Sequence, residues 1–290
     1  MKIGVVLPQT EIGNDPVAIK AYAEAVEGMG FTHILVFDHV LGANPARPGG
    51  WKGPYTHRHG FHEPFVLLGF LAAATRRVEL VTGIIILPQR QTALVAKQAA
   101  AVDVLSGGRL RLGVAVGWNP VEFEALGEDF TTRGRRIEEQ IEVMRALWTR
   151  ELVTFTGKQH RISDAGINPL PVQRPIPIWM GGESEVVQRR MARIADGWMP
   201  HFRPGAPAQA VVDRLHGLVR EAGRDPKAFG IEGRIALSQI PQAEWSKELE
   251  GWRAMRGISH LCVHTTGLGL AKPADHVEML RRFREVVGLK

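Results

Sequence analysis

Short β-branched runs followed by longer helix-forming stretches recur eight times along this chain, and that alternation limits its fold more than any other feature. The predicted strands are Ile3–Leu7, His33–Phe37, Glu79–Ile86, Leu110–Val116, Ile176–Met180, Gly197–Pro200, Ile231–Leu237 and His260–His264. Each leads into a predicted helix: Pro16–Met29, Pro64–Thr75, Ala93–Leu105, Arg135–Thr149, Glu183–Ile194, Ala208–Ala222, Ala243–Met255 and Pro273–Val287. Several of these carry their own punctuation. Asp15-Pro16 supplies an N-cap and a first-turn proline, and Glu63-Pro64, Asp225-Pro226 and Lys272-Pro273 read similarly. Gly30, Gly107-Gly108 and Gly223 lie where helices should stop.

Eight strand–helix pairs in 290 residues predict an α/β chain folded as a single (βα)8 barrel over residues 1–290. A doubly wound sheet has the same alternation but usually fewer strands. Barrel closure removes both sheet edges, which suits strands this continuously apolar. Two segments exceed the simple repeat. Gly42–His62 is a long loop rich in Gly, Pro and His after the second strand. Glu151–Pro175 is an insertion before the fifth strand, in which Val153-Thr154-Phe155 and Gly157 suggest a small hairpin. Connections of this length usually serve as lids or covers.

Composition narrows the function classes. The net charge of +6 is dispersed, with no long basic run and no zinc-finger or RNA-platform motif, so a nucleic-acid partner is not expected. A single Cys, Cys262, excludes an internal disulfide and any multi-thiolate metal site. The first residues meet Pro8 too soon for a signal-peptide apolar core, and the longest apolar stretch, near Val81 to Leu87, is about a third of a membrane span. The expectation is a cytoplasmic enzyme with a small-molecule substrate and no membrane partner.

In a barrel, reactive groups gather where strands end at the carboxyl face. Those positions hold Asp38-His39, Thr82-Gly83-Ile84, Gly117-Trp118-Asn119, Gly181-Gly182-Glu183-Ser184, Pro200-His201 and His264-Thr265-Thr266. Asp38-His39 sets a proton carrier beside a carboxylate, which admits acid–base chemistry and plain scaffolding alike. Gly181-Gly182-Glu183-Ser184 allows close backbone approach to an anion at a helix N-terminus, or merely a turn capped by Ser184. His57-x-His59-x-x-His62 has metal-like spacing, but barrel metal sites draw ligands from several strand ends, so no metal is expected. No lysine except Lys2, beside the first predicted strand, sits within or at the end of a predicted strand, which disfavours Schiff-base chemistry. No G-x-S-x-G elbow, Walker loop or strand-borne G-x-G-x-x-G is present. Arg133-Gly134-Arg135-Arg136 opens a helix, where Arg135 and Glu139 have the spacing of an ion pair.

Beyond these readings, the chain resembles the bacterial luciferase-like monooxygenase superfamily, and within it the short deazaflavin-type oxidoreductases. The resemblance rests on Val36-Phe37-Asp38-His39, Leu80-Val81-Thr82-Gly83-Ile84 with Leu87-Pro88, and Ala96-Lys97-Gln98. It continues through Asp103-Val104-Leu105-Ser106-Gly107-Gly108-Arg109, Leu112-Gly113-Val114-Ala115-Val116-Gly117-Trp118, Glu122-Phe123-Glu124-Ala125-Leu126-Gly127, Ile178-Trp179-Met180-Gly181-Gly182 and Ala195-Asp196-Gly197-Trp198. The last third of the chain matches only in pattern.

The resemblance implies a (βα)8 barrel holding coenzyme F-420, a deazaflavin, or FMN at its carboxyl end. Gly181, Gly182, Glu183 and Ser184 would surround the cofactor phosphate. Thr82, Gly83 and Ile84 would form a bulge behind the ring system, often with a non-prolyl cis peptide, and Trp118 would join the cofactor-binding residues. His39 would act near the hydride-transfer centre with Asp38 beside it. Some deazaflavin dehydrogenases carry a catalytic Glu soon after the strand-four glycine. This chain has Gly117-Trp118-Asn119-Pro120 there, with Glu122 just beyond, so sugar-phosphate oxidation is not carried over. The expected activity is hydride transfer between F-420 and a small organic substrate, or alternatively FMN-dependent monooxygenation. A non-catalytic carrier barrel and a metal-dependent hydrolase are the competing classes. A homodimer is expected from the family alone.

Overall fold

The computed structural model describes residues 1–289. Strand β1 (Lys2–Val6) leads to helix α1 (Pro16–Gly28), and β2 (His33–Val36) to α2 (Pro64–Ala74). Strand β3 (Glu79–Thr82) breaks at Gly83-Ile84 and resumes as β4 (Ile85–Ile86) before α3 (Thr92–Ser106). Next come β5 (Leu110–Ala115), α4 (Pro120–Ala125), α5 (Arg133–Thr149) and a hairpin of β6 (Val153–Thr156) and β7 (Arg161–Ala165). The chain then alternates through β8 (Ile178–Gly181), α6 (Glu185–Ile194), β9 (Gly197–Met199), α7 (Ala206–Glu221), β10 (Gly230–Ala236), α8 (Trp245–Ala254), β11 (His260–His264) and α9 (Pro273–Val286).

The strands pair in the order β3-β2-β1-β11-β10-β9-β8-β5, and β5 returns to β3 through Leu80 with Leu110 and Val81 with Arg111. Every pairing in the ring is parallel. This is the closed eight-stranded α/β barrel that the alternation predicts. Part of the helix punctuation works as read: Asp15 accepts from Val17 N, Glu63 from Val66 N and Ser184 from Val187 N, whereas Asp225-Pro226 opens only a short 3-10 turn and Lys272 makes no side-chain cap for α9. Gly107 ends α3 at φ +70°, a conformation that favours glycine.

Strand alternation divides the apolar residues into two layers. Val5, Ile34, Val36, Leu80, Leu112 and Val263 face outward onto the helices. Val6, Leu35, Val81, Trp179, Met199 and Cys262 fill the barrel interior, with Phe37 and Ile84 packed above them. The same alternation turns His33, Arg111, Glu232 and His260 inward near the strand starts, and Arg234 and His264 inward near the strand ends.

The inward groups at the starts form a closed ionic plug. Arg111 bonds Glu232 at 2.5 Å and Glu79 at 3.3 Å, and its guanidinium lies 4.3 Å from the Trp179 ring centroid. His33 lies 3.5 Å from Glu232. Burial pushes the Glu232 carboxyl up, but the charges of Arg111 and His33 outweigh it and hold it well below the ordinary value. His33, Glu232 and Cys262 are the one three-residue cluster with metal-ligand spacing among the described residues. Arg111 already supplies its positive charge, and burial holds the Cys262 thiol far from ionisation.

Three local readings are corrected. The third predicted strand is two segments, because the backbone leaves the sheet at Gly83-Ile84. Helix α4 is absent from the predicted helices although Asn119-Pro120 carries the punctuation seen elsewhere; Asn119 accepts from Val121 N and Glu122 stands in its first turn. Glu139 does not pair with Arg135: it accepts the N–H groups of Lys158, Gln159 and His160 and holds the β6–β7 hairpin to α5.

Candidate active site

A cleft of about 350 Å³ opens at the carboxyl end of the barrel. Phe37, Asp38 and His39 after β2, Gly83 and Ile84 at the strand break, Val116 to Trp118 after β5, and Gly181-Gly182 at β8 all line it. So do Tyr55 from the long loop, His201 after β9 and Arg234 of β10. Of the ten residues expected at the site, Asp38, His39, Gly83, Ile84, Trp118, Gly181 and Gly182 meet here.

The Gly83–Ile84 peptide is cis. Packing demands glycine at the first position, since a Cβ there would fall 2.1 Å from the Leu35 side chain. Asp38 locks the bulge from below: its carboxylate accepts from Ile86 N at 2.9 Å and from Arg90 at 2.8 Å, and Arg90 also bonds Glu63. Burial raises the Asp38 carboxyl above its ordinary value, against the pull of Arg90 and the Ile86 N–H. Asp38 is therefore spent on the scaffold.

His39 takes a different partner. Its Nδ1 lies 3.2 Å from Glu122 Oε1, and the same carboxylate accepts from Val40 N and Leu41 N. Burial raises Glu122, but the hydrogen bond and charge of His39, with Leu41 N–H and Gln89, bring it below its ordinary value. An ionised Glu122 only accepts, so Nδ1 carries the proton and Nε2 is left free to accept one. The ring is flanked by Tyr55 at 4.7 Å, Phe61 at 4.8 Å and Trp118 at 6.0 Å between centroids. The Gly42–His62 loop thus returns over the mouth as a cover, with Trp51 stacked on Trp118. Reading only strand ends pairs His39 with its sequence neighbour. The signal for Glu122 is the N-cap at Asn119, which puts it in the first turn of a helix leaving the mouth.

The glycine turn and the other expected residues, Thr82, Glu183 and Ser184, take different roles. Gly182 adopts φ +113°, and a Cβ there would approach Val187 Cγ1 at 3.0 Å. Glu183 accepts from His201 N at 2.8 Å, and Ser184 caps α6, so both side chains are committed to the backbone. The Thr82 hydroxyl donates to Gly113 O and accepts from Gly113 N, both at 2.8 Å. It holds the strand from which the bulge departs and does not line the cleft. His57 and His59 border a smaller pocket of about 150 Å³ next to His39. With His62 they do not converge as a three-ligand set among the described residues.

Among the cleft residues outside the expected set are His201 and Arg234. His201 is held below its ordinary pKa first by burial and then by the charge of Arg234; His264 behind it is lowered to about 4 for the same reasons. Arg234 lies 5.5 Å from the Phe37 ring centroid. Its signal is a charge at every second position of an apolar strand, Ile231-Glu232-Gly233-Arg234-Ile235.

The model of the luciferase-like monooxygenase family matches residues 1–287. The chain belongs to that family. An uncharacterised protein of Mycobacterium tuberculosis is 36% identical over 210 residues, covering 70% of this chain and 71% of that protein. An FMNH2-dependent dimethylsulfone monooxygenase of Pseudomonas putida is 32% identical over 193 residues, 62% of this chain and 53% of the relative. Among solved structures, an F-420-dependent secondary alcohol dehydrogenase in complex with an F-420–acetone adduct superposes with TM-score 0.77 at 18% identity, covering 99% of this chain and 98% of that one. The family establishes a flavin-type oxidoreductase or monooxygenase as the class of enzyme. No helix among the described residues is long and apolar enough to cross a membrane.

Proposed function

We propose that this enzyme binds the deazaflavin coenzyme F-420 in the carboxyl-end cleft and transfers a hydride between it and a small organic substrate. The observation that carries the reading is the union, in one cleft, of a ring-sized apolar wall, a glycine turn and a positioned imidazole. Ile84, Ile86, Ala115 and Val116 make the wall. A planar ring held mainly by apolar side chains fits such a surface. Gly181-Gly182 lies on the same cleft, and two residues without side chains leave the backbone open to close approach by a phosphate at the start of α6, with Gly182 at a φ of +113° that favours glycine. Glu183 contributes there through its backbone, because its carboxylate is held by His201 N.

When bound, the coenzyme supplies the hydride acceptor or donor. The chain does the rest. His39 Nε2 takes up or returns a proton at the substrate oxygen, and Glu122 fixes the ring and stabilises its charged form. Tyr55, Phe61 and the Trp51–Trp118 pair exclude water from that exchange. FMN is the second reading, favoured by the FMNH2-dependent relative.

The test supplies purified enzyme with reduced or oxidised F-420 and a panel of small alcohols, aldehydes and ketones, following the visible absorbance of the deazaflavin. A substrate-dependent change is expected. Oxygen uptake with reduced FMN, without any F-420 turnover, would overturn the lead reading in favour of the second.

A further inference from the structure

Arg234 is a charge without a partner. Every other charged side chain inside the barrel is matched: Arg111 by Glu232 and Glu79, Arg90 by Asp38 and Glu63, His39 by Glu122. Arg234 has no carboxylate within ion-pair distance and no hydrogen-bond acceptor among the described residues. Its guanidinium lies 5.5 Å from the Phe37 ring centroid, and its neighbours Tyr55, His201 and His264 carry no carboxylate. A partly buried guanidinium left this way costs stability, which a protein retains only where something else completes the pair. A second observation lies beside it. Gln9 accepts from Phe37 N through Oε1, while its Nε2 is buried without a partner, although the residue is only 4% exposed. Unused donors thus flank Phe37 from strand β10 and from the turn after β1, and no acceptor answers them.

We propose that Arg234 anchors the carboxylate of the substrate, so that the enzyme acts on small organic acids bearing a single negative charge. The guanidinium offers a planar fork that matches a carboxylate with two parallel bonds. The neighbouring imidazoles, His201 and His264, stay neutral at neutral pH and add no second charge, which suits a monoanion better than a phosphate dianion. Arg234 and the Gly83–Ile84 bulge line the same cleft from different strands, so a substrate held by Arg234 shares its space with a ring braced on the bulge.

This inference rests on the cofactor reading for its location, but its test is separable. Calorimetric titration of the purified protein uses propionate, with propionamide, methanesulfonate and inorganic phosphate as probes of charge and shape. Propionate should bind and propionamide should not. Arg234→Gln and Arg234→Met should each weaken propionate by about tenfold or more, and Arg234→Lys by less, while the affinities for F-420 and FMN stay within about twofold. Equal binding of propionate and propionamide, or undiminished propionate binding by folded variants, overturns the anchor. So does tighter binding of phosphate than of propionate. A parallel loss of cofactor affinity in the Arg234 variants assigns the arginine to the cofactor and also overturns it. If propionate binds as predicted but neither cofactor does, the anchor stands and the cofactor reading falls.

Discussion

Arg111 and Arg234 both project into the same barrel, from strands that reach its two ends, and their surroundings are opposite. At the amino end Arg111 is enclosed by Glu232, Glu79 and the face of Trp179. At the carboxyl end Arg234 faces a cleft whose lining carboxylate, Asp38, is already paired with Arg90. The difference separates a charge used to build from a charge used to bind. The first is satisfied by the chain and closes the tube. The second is left for a ligand, among residues whose hydrogen bonds hold them in place without consuming their chemistry.

The largest effect expected at the open end is on turnover. His39→Ala should slow the reaction by roughly 10²–10⁴-fold, the range for a positioned acid or base, with cofactor affinity nearly unchanged. Glu122→Gln should cost less and displace the pH profile, because it acts through the imidazole. Asp38→Asn should show itself mainly as lost thermal stability. Equal turnover in wild type and His39→Ala would leave the open end without its proton carrier.

At the closed end the effect is on stability. Arg111→Met strands Glu232 as a buried carboxylate and should cost about 3–5 kcal/mol, measured by urea unfolding. Arg234→Met, made at the other end of the same tube, should cost no stability and should raise it, since no pair is broken and an uncompensated charge is removed. Similar losses from both substitutions would erase the distinction between the two ends.

Acid should act on both ends in the same sense. Burial, with the charge of nearby basic groups, lowers His260 to about 3 and His264 to about 4 in the folded protein. Unfolded histidine binds its proton near 6.5, so below that value the unfolded state takes up protons that the folded state refuses. The stability contributed by these neutral imidazoles is complete above about pH 6.5 and is lost as the pH falls toward their folded values. Melting temperatures between pH 7 and 4 should therefore fall, and less steeply in His260→Gln. A flat profile in the wild type would show that these imidazoles ionise freely in the fold.

The barrel was legible because its signal is repeated: eight apolar strands, each followed by a helix with its own cap, leave few other ways to bury so much surface. Gly181 and Gly182 were legible because missing side chains beside a strand end mark close approach, whereas the bulge at Gly83-Ile84 was expected only from the family resemblance. What escaped was partnership across the chain. His39 stands next to Asp38 in sequence, but a strand end points consecutive side chains in different directions, and the carboxylate that reaches the ring comes from Glu122 on another element. Arg234 escaped because attention to strand ends overlooks the period-two pattern inside a strand, where a charge facing inward has either a partner or a purpose.

Tryptophan fluorescence tests directly whether the open end holds the cofactor. Trp118 lines the cleft and is 44% exposed, so a ring seated there should quench it. Titration with F-420 and with FMN should give saturable quenching by one of them, and Gly182→Val should raise that dissociation constant by about tenfold or more. Saturable quenching with the same constant in a folded Gly182→Val protein, or none with either cofactor, would contradict that placement.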